Sequence, residues 1–496
     1  MRHSNTGYSP PISLNPRSRA PMYQQICDWI RTAICSGTLK PGQRLPSTRA
    51  YATELNTSRI TVLGAFEQLH AEGYLQTRVG SGTYVADTIP DCCLRTVPRS
   101  GVAKKIASPT TQPAISKRVQ QLNVVARSPW LQTLGPFRLS LPSLDHLPLE
   151  SWSRLLAKHS RDSSRHLMAY GDAMGYLPLR EAICEYIATS RGVRCDPSRV
   201  MIVNGSQQAL EIASRVLLDV GDSVWVEDPG YFGARQAFLM AETRVVPVRV
   251  DESGLDVQDG IKKCPSARAI YITPSHQYPL GVSLTATRRL ELLNWAAKAR
   301  AWVLEDDFDS EYRYGSRPLI SLQGIDVNDT VVYIGTFSKV LFPALRIGYI
   351  VLPPPLVPAF IAAKDATDIF SSTVVQAALA EFVSTGQFAR HIRRMRTIYA
   401  EKRAVLTQSL DKHFGTDFPV IGEDAGVHLV MRLPGGIADE RVATEAAKLG
   451  ISAAPLSRHY HGARAQQGLV LGFGGISLHQ IEPSVLKLKR AVQSSR

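Results

Sequence analysis

The sequence predicts an α/β protein in two parts: a small winged helix-turn-helix at the N-terminus, then a large domain on a mostly parallel central sheet. Three observations predict it. The chain has 496 residues, more than one hydrophobic core usually serves. Its charge is uneven: residues 1–127 hold 16 basic and 6 acidic side chains, whereas the remainder holds 41 and 37. From Phe137 onward, short apolar runs alternate with helical patterns, the signature of βαβ units.

Composition excludes several classes. Hydrophobic content is 44% and charged content 20%, which excludes wholesale disorder. Seven cysteines with no C-x-x-C spacing argue against a disulfide scaffold and a zinc module, and no metal is expected. The most apolar candidate for a membrane span, Tyr349 to Ala363, is broken by four prolines. No signal-peptide pattern follows Met1, so a cytoplasmic protein without membrane contact is expected. A basic end on a nearly balanced body suggests a polyanion partner, most simply nucleic acid.

The elements follow in order. Residues 1–20 are polar with three prolines and read as an arm. Met22 to Ile34 places Met22, Ile26, Trp29, Ile30 and Ala33 on one helical face, ended by Gly37. Ser47 caps a second helix, Thr48 to Leu55, and Thr57 caps a third, Ser58 to Glu72. Val62, Phe66 and Leu69 form the buried stripe of the third helix, which leaves Ser58, Arg59 and Thr61 exposed on its first turn. Such a turn enters a major groove, where an arginine pairs with guanine edges or phosphates. Tyr74–Val79 and Thr83–Val85, joined by Gly80-Ser81-Gly82, read as a hairpin wing. The domain boundaries predicted are 12–88 for this module, 89–134 for a linker with five prolines and four serines, and 135–494 for the large domain.

In the large domain, buried strands are predicted at Val200–Val203, Ser223–Val226, Ala269–Ile272, Ala301–Leu304 and Val331–Ile334. Four of them end in residues that carry chemistry. Val331 to Ile334 runs into Gly335-Thr336-Phe337-Ser338-Lys339, and a lysine just beyond a buried strand is desolvated toward nucleophilic chemistry. Thr336, Ser338 and Arg346 supply phosphate donors. Asn204-Gly205-Ser206-Gln207 joins a strand to a helix N-terminus, a ready anion cradle. The strand Trp302-Val303-Leu304 ends in Glu305-Asp306-Asp307-Phe308-Asp309. Tyr231 follows Glu227-Asp228-Pro229-Gly230 on a turn.

Two resemblances organise these residues. Gly42-Gln43-Arg44-Leu45-Pro46-Ser47-Thr48-Arg49, Thr57 to Val62, Ala71-Glu72-Gly73 and Gly80-Ser81-Gly82-Thr83 together resemble the winged helix of GntR-type bacterial regulators. That resemblance implies DNA contacts from Arg49, Ser58, Arg59, Thr61 and Gly80, with Arg44 and Arg78. Leu63 stands where some members carry a basic residue.

The segments of the large domain, with Tyr170-Gly171-Asp172-Ala173-Met174-Gly175-Tyr176, resemble the fold-type I aminotransferases, which bind pyridoxal 5′-phosphate. The resemblance implies that Lys339 carries the cofactor as an imine and that Asp306 pairs the pyridine nitrogen, with Asp307 as the fallback register. It implies that Tyr231 stacks on the ring and that Ser206, Gln207, Thr336, Ser338 and Arg346 hold the phosphate. Tyr170 would reach the phosphate of a partner subunit in a homodimer. Two departures stand out. Phe308 occupies a position where many relatives have tyrosine, and Leu469–Phe473 lacks the arginine that receives a substrate carboxylate. Arg458 and Arg464 are the substitutes available in the preceding loop.

The two domains in this order resemble the MocR subfamily of bacterial regulators. The function expected is a transcriptional regulator that binds double-stranded operator DNA and senses a small amine or amino-acid effector, or the cofactor itself. The alternative is an active aminotransferase with a vestigial DNA module.

Overall fold

The computed structural model describes residues 12, 14–15, 18, 20–78, 81–88, 116, 118–119, 122, 134–161, 167–314, 319–422, 424–461 and 465–496. The chain divides into two compact units, Met1–Gln112 and Pro113–Arg496. Gly80, Arg464 and most of the expected linker lie outside the described residues.

The first unit packs three helices and a hairpin around one small core. Helix α1 (Met22–Cys35) buries Ile26, Cys27, Ile30, Ala33 and Ile34. Helix α2 (Thr48–Glu54) is capped by Ser47, whose hydroxyl accepts the Ala50 amide at 3.2 Å. Helix α3 (Arg59–Ala71) buries Val62, Ala65, Phe66 and Leu69. Its cap is Ser58, which accepts the Thr61 amide at 3.1 Å. The expected Thr57 cap is therefore displaced by one residue, and the Thr57 hydroxyl points instead to the Met22 sulfur. Strands β1 (Leu75–Arg78) and β2 (Gly82–Val85) pair antiparallel, with Arg78 opposite Gly82.

The second unit is built on an eight-stranded sheet. Its strands are β3 (Val200–Val203), β4 (Ser223–Asp228), β5 (Arg244–Asp251), β6 (Gly254–Leu255), β7 (Ala269–Ile272), β8 (Trp302–Asp307), β9 (Val331–Thr336) and β10 (Gly348–Val351), in the order β3-β10-β9-β8-β7-β4-β5-β6. The central pairs β5-β4-β7-β8-β9 are parallel. Strand β10 runs antiparallel between β3 and β9. Its antiparallel course matters, because it brings the turn before Gly348 to the ends of β3 and β9 where the parallel strands open into loops.

Apolar clusters cover both faces of the sheet: one includes Met201, Val203, Leu304 and Ile334, the other Trp225, Ile270, Ile272 and Val303. A smaller antiparallel sheet follows, in the order β11 (Val420–Ile421), β12 (His428–Arg432), β14 (Gly468–Gly472), β13 (Ala454–Pro455). The segment after Leu134 runs along it, with the Gly472 amide bonded to the Phe137 carbonyl at 3.0 Å.

Candidate functional site

A cavity at the ends of β8 and β9 is lined by Ser140, Ser206, Tyr231, Tyr271, Tyr278, Asp306, Phe308, Asp309, Lys339 and His428, among others. Strand alternation sorts the acidic run around it. Glu305 and Asp307 point to one face of β8. The Glu305 carboxylate accepts the amides of Leu322 and Gln323 at 2.8 and 2.9 Å. Asp307 Oδ2 accepts from Arg191 Nε and the Tyr333 hydroxyl, both at 2.6 Å. Asp306 points to the opposite face and lines the cavity. Asp309, past the strand, bonds His276 Nδ1 at 2.8 Å. One acidic stretch thus serves four separate purposes.

Asp306 is 4% exposed. Its Oδ2 accepts the Tyr271 hydroxyl at 2.8 Å, and its Oδ1 has no partner among the described residues. Burial raises its pKa to about 7, against the bond from Tyr271. Burial lowers the Lys339 ammonium to about 8, against the attraction of Asp309 and Asp306. Tyr231 is half-buried at the start of the helix Phe232–Met240, within the same cavity. Its ring lies 5.9 Å from that of Tyr278, edge to face, and burial holds its phenol at about 12.

The donors expected to hold a phosphate come from three segments. Ser206 and Gln207 open the helix Ser206–Leu217, whose N-cap is Gly205 at φ 89°. Thr336 ends β9, and its hydroxyl accepts the Ser338 amide at 3.1 Å. Arg346 precedes β10, and its guanidinium donates to the Asn204 carbonyl at 2.5 Å. A Cβ at Gly205 would stand 3.1 Å from that guanidinium, and one at Gly348 would stand 3.1 Å from the Gly205 Cα. Glycine at both places therefore lets the arginine close on the turn. Gln207 is turned away, donating to the Gly233 carbonyl at 2.9 Å. Asp368 fixes the turn from behind: it accepts from Asn204 Nδ2 at 2.7 Å and Gln208 Nε2 at 2.8 Å, and pairs with the fully buried Lys364.

Tyr170 lies outside this cavity, 85% exposed and edge-on to Phe370 at 6.0 Å. Arg458 lines a neighbouring cavity of about 500 Å³, which shares Leu139, Ser140, Tyr231 and Tyr278 with the first. Its guanidinium is paired with Glu440 at 2.6 Å. Strand β14 is fully buried and carries no arginine. Tyr271, Tyr278, Asp309 and His428 line the first cavity without having been assigned roles from the sequence. Tyr271 reaches Asp306 only because β7 pairs with β8, and nothing in its local sequence announces that.

In the first unit, Ser58, Arg59 and Thr61 occupy the first turn of α3, and Ser58 and Thr61 share a 2.7 Å hydroxyl contact. Arg44, Arg49 and Arg59 are not buried and form no ion pair with a described residue. Arg78 differs: it pairs with Asp87 at 3.4 Å and lies over the Tyr84 ring at 4.8 Å. The Arg44 guanidinium sits beside the wing, where a Cβ at Gly82 would meet it at 3.3 Å.

Comparison with known proteins agrees with both halves. Residues 22–85 match the family described as bacterial regulatory proteins, gntR family, and residues 139–453 match aminotransferase class I and II. The chain is 40% identical, over 97% of its length and 95% of the relative's, to the probable rhizopine catabolism regulatory protein MocR of Rhizobium meliloti. It is 31% identical, over 94% of each chain, to the pyridoxine biosynthesis transcriptional regulator PdxR of Corynebacterium glutamicum. Among solved structures, the α-aminoadipate aminotransferase LysN of Thermus thermophilus, complexed with N-(5′-phosphopyridoxyl)-L-leucine, superposes with a TM-score of 0.71. It is 28% identical, and the match covers 77% of this chain and 97% of that one.

Proposed function

Because the chain belongs to the MocR subfamily of GntR-type transcriptional regulators, a winged helix-turn-helix fused to an aminotransferase-like body, we propose that it regulates transcription by holding pyridoxal 5′-phosphate on Lys339 as the receptor for an amine-bearing effector. The observation that carries this reading is the unpartnered, buried Asp306 Oδ1 in one cavity with Lys339. A buried carboxylate oxygen without a donor is costly, and a protonated pyridine nitrogen supplies the missing proton. The donor set around Gly205 fits a phosphate equally well. When bound, the cofactor supplies an aldehyde carbon and an electron-accepting ring.

The chain's own residues do the rest. Lys339, with its ammonium lowered to about 8, is about one-tenth neutral at pH 7, far more than an ordinary lysine, and would act as the nucleophile. Asp306 would pair with the ring nitrogen, and Tyr231 would lie against the ring. Ser206, Thr336, Ser338 and Arg346 would anchor the phosphate, and Gln207, which donates to the Gly233 carbonyl, would have to turn to join them. An amine-bearing effector would compete with Lys339 for the cofactor's aldehyde carbon, and Asp309 and Asp306 would face the freed lysine as its ammonium. That relocates a charge in a desolvated pocket, which biases DNA binding if the two forms prefer different domain arrangements. The absence of an arginine from β14 and the presence of Phe308 favour sensing over rapid turnover.

On the DNA side, Arg49, Ser58, Arg59 and Thr61 would contact the operator, with Arg44 and Gly80 at the wing and Arg78 in a supporting place. The exposed Tyr170 suits a homodimer in which each copy completes the other's phosphate site. Lys339→Ala should abolish the yellow absorbance of the loaded protein while leaving its thermal unfolding cooperative. Borohydride reduction followed by mass spectrometry should then find the adduct on residue 339 of the wild type; an adduct on any other lysine would refute the assignment. Titration of candidate amines with operator present and absent separates sensor from enzyme: a coupled change in absorbance and DNA affinity supports the first, and keto-acid release over many cycles the second.

A further inference from the structure

Two large aliphatic side chains stand exposed on the first turns of α3, beside the polar residues a DNA-reading helix ordinarily shows there. Ile60, the second residue of the helix, is 81% exposed, and Leu63, one turn on, is 41% exposed. They flank Arg59 on the surface that faces away from Val62, Ala65, Phe66 and Leu69. Exposed branched aliphatic residues on so short a helix serve no purpose in the core.

A second observation points to the same face. Gly64 lies in the middle of the helix, four residues after Ile60, and a Cβ built there would meet nothing within 4 Å. The fold therefore gives no steric reason for glycine. A glycine inside a helix is less favourable than alanine, and close approach of another molecule is a use that offsets this.

We propose that Ile60 and Leu63 read the 5-methyl groups of thymines in the operator major groove, beside the base pair contacted by Arg59, and that Gly64 lets the helix seat deeply enough to do so. This rests on the assignment of α3 as the DNA-reading helix. The chemistry is specific. In the major groove only thymine presents a methyl group, and an aliphatic side chain discriminates it by removing that methyl from water. Arg59 supplies the polar half of the recognition through guanine O6 and N7 or a phosphate. The half-site is thus a guanine or phosphate contact flanked by thymine.

Full-length protein loaded with cofactor would be used to select duplexes from a random library, and affinity for the recovered operator measured by fluorescence anisotropy. Each thymine of a half-site is then replaced singly by deoxyuridine, which deletes the methyl and keeps the base pairing. One or two positions should lose about three- to fivefold in affinity, the effect of one buried methyl. Ile60→Ala or Leu63→Ala should lose a similar factor on the thymine duplex and show no further loss at the matching uridine. Alanine is the better helix former, and neither variant removes a phosphate contact, so the salt dependence of binding should stay at the wild-type slope.

The proposal is overturned if every uridine duplex binds within about twofold of its parent, against the loss a buried methyl predicts. It is equally overturned if the thymine preference persists undiminished in both alanine variants, or if the selected half-sites lack thymine. Arg59→Ala tests the underlying assignment separately. Unchanged operator binding in that variant would mean that α3 does not read DNA, and the methyl proposal would fall with it; weakened binding alongside a flat uridine series would sink the methyl proposal alone.

Discussion

Asp306 carries opposite obligations with and without its ligand. Its carboxyl is raised by burial from 3.8 to about 7, so between those values the folded protein binds a proton that the unfolded chain does not. By linkage, this group's contribution to stability falls as pH rises through that window and stays at its lowest above it. Asp306→Asn should therefore stabilise the unloaded protein at about pH 8, by roughly 2–4 kcal/mol at most, and give almost no gain near about pH 4. The same variant should bind the cofactor much more weakly, since the ring nitrogen loses its counter-charge. Thermal unfolding at the two pH values and a cofactor titration check the crossed signs.

Lys339 gives a second test. Only the neutral amine condenses, so the initial rate of cofactor uptake should rise about tenfold per pH unit up to about 8, then level off. At this scale the sequence was legible where a residue sits at the end of a buried strand, as Lys339 and Asp306 do. Tyr271 and the Asp309–His276 pair were not, because strand pairing and loop return bring them together.

Among the elements, strand β10 explains why the turn proposed to hold the phosphate draws on three segments. Being antiparallel between β3 and β9, it delivers Arg346 to Gly205 and Thr336 at once. Gly205→Ala forces a Cβ into a φ of 89° and against the guanidinium. It should cost about 1–2 kcal/mol of stability and raise the cofactor dissociation constant about tenfold or more, measured by equilibrium fluorescence.

The parallel strands were readable as unbroken apolar runs. Strand β10 was not, because it is short and bounded by Arg346 and a proline cluster that reads as a break. The C-terminal antiparallel sheet was missed for a related reason: β11 and β13 are two residues each, too short for an alternating pattern. The recognition helix was legible in position, and its cap slipped by one because Thr57 and Ser58 are both good capping residues. Arg59→Ala should weaken operator binding about tenfold or more and reduce the steepness of its salt dependence by about one ion, with cofactor absorbance unchanged.

For the molecule as a whole, the charge asymmetry has a structural counterpart. The first unit, residues 1–112, holds 13 basic and 6 acidic side chains and has its own core, whereas the second, residues 113–496, spreads the same net charge of +7 over more than three times the length and contains the cavity lined by Asp306 and Lys339. If the assembly is a homodimer, sedimentation at micromolar concentration should give a mass near twice that of the chain, and the selected operator should contain two half-sites. A monomer bound to a single half-site would contradict both expectations. The order of the two units, the mostly parallel sheet and the family were legible because each rests on local runs of residues.

The described core of the first unit draws its buried apolar residues from Ile26 to Val85, and none of them belongs to the clusters of the second. Core substitutions in the two units should consequently add in free energy rather than compensate. Evolution can then retune the chemical taste of the large body while the same promoters remain addressed, or redirect the address while the taste is kept.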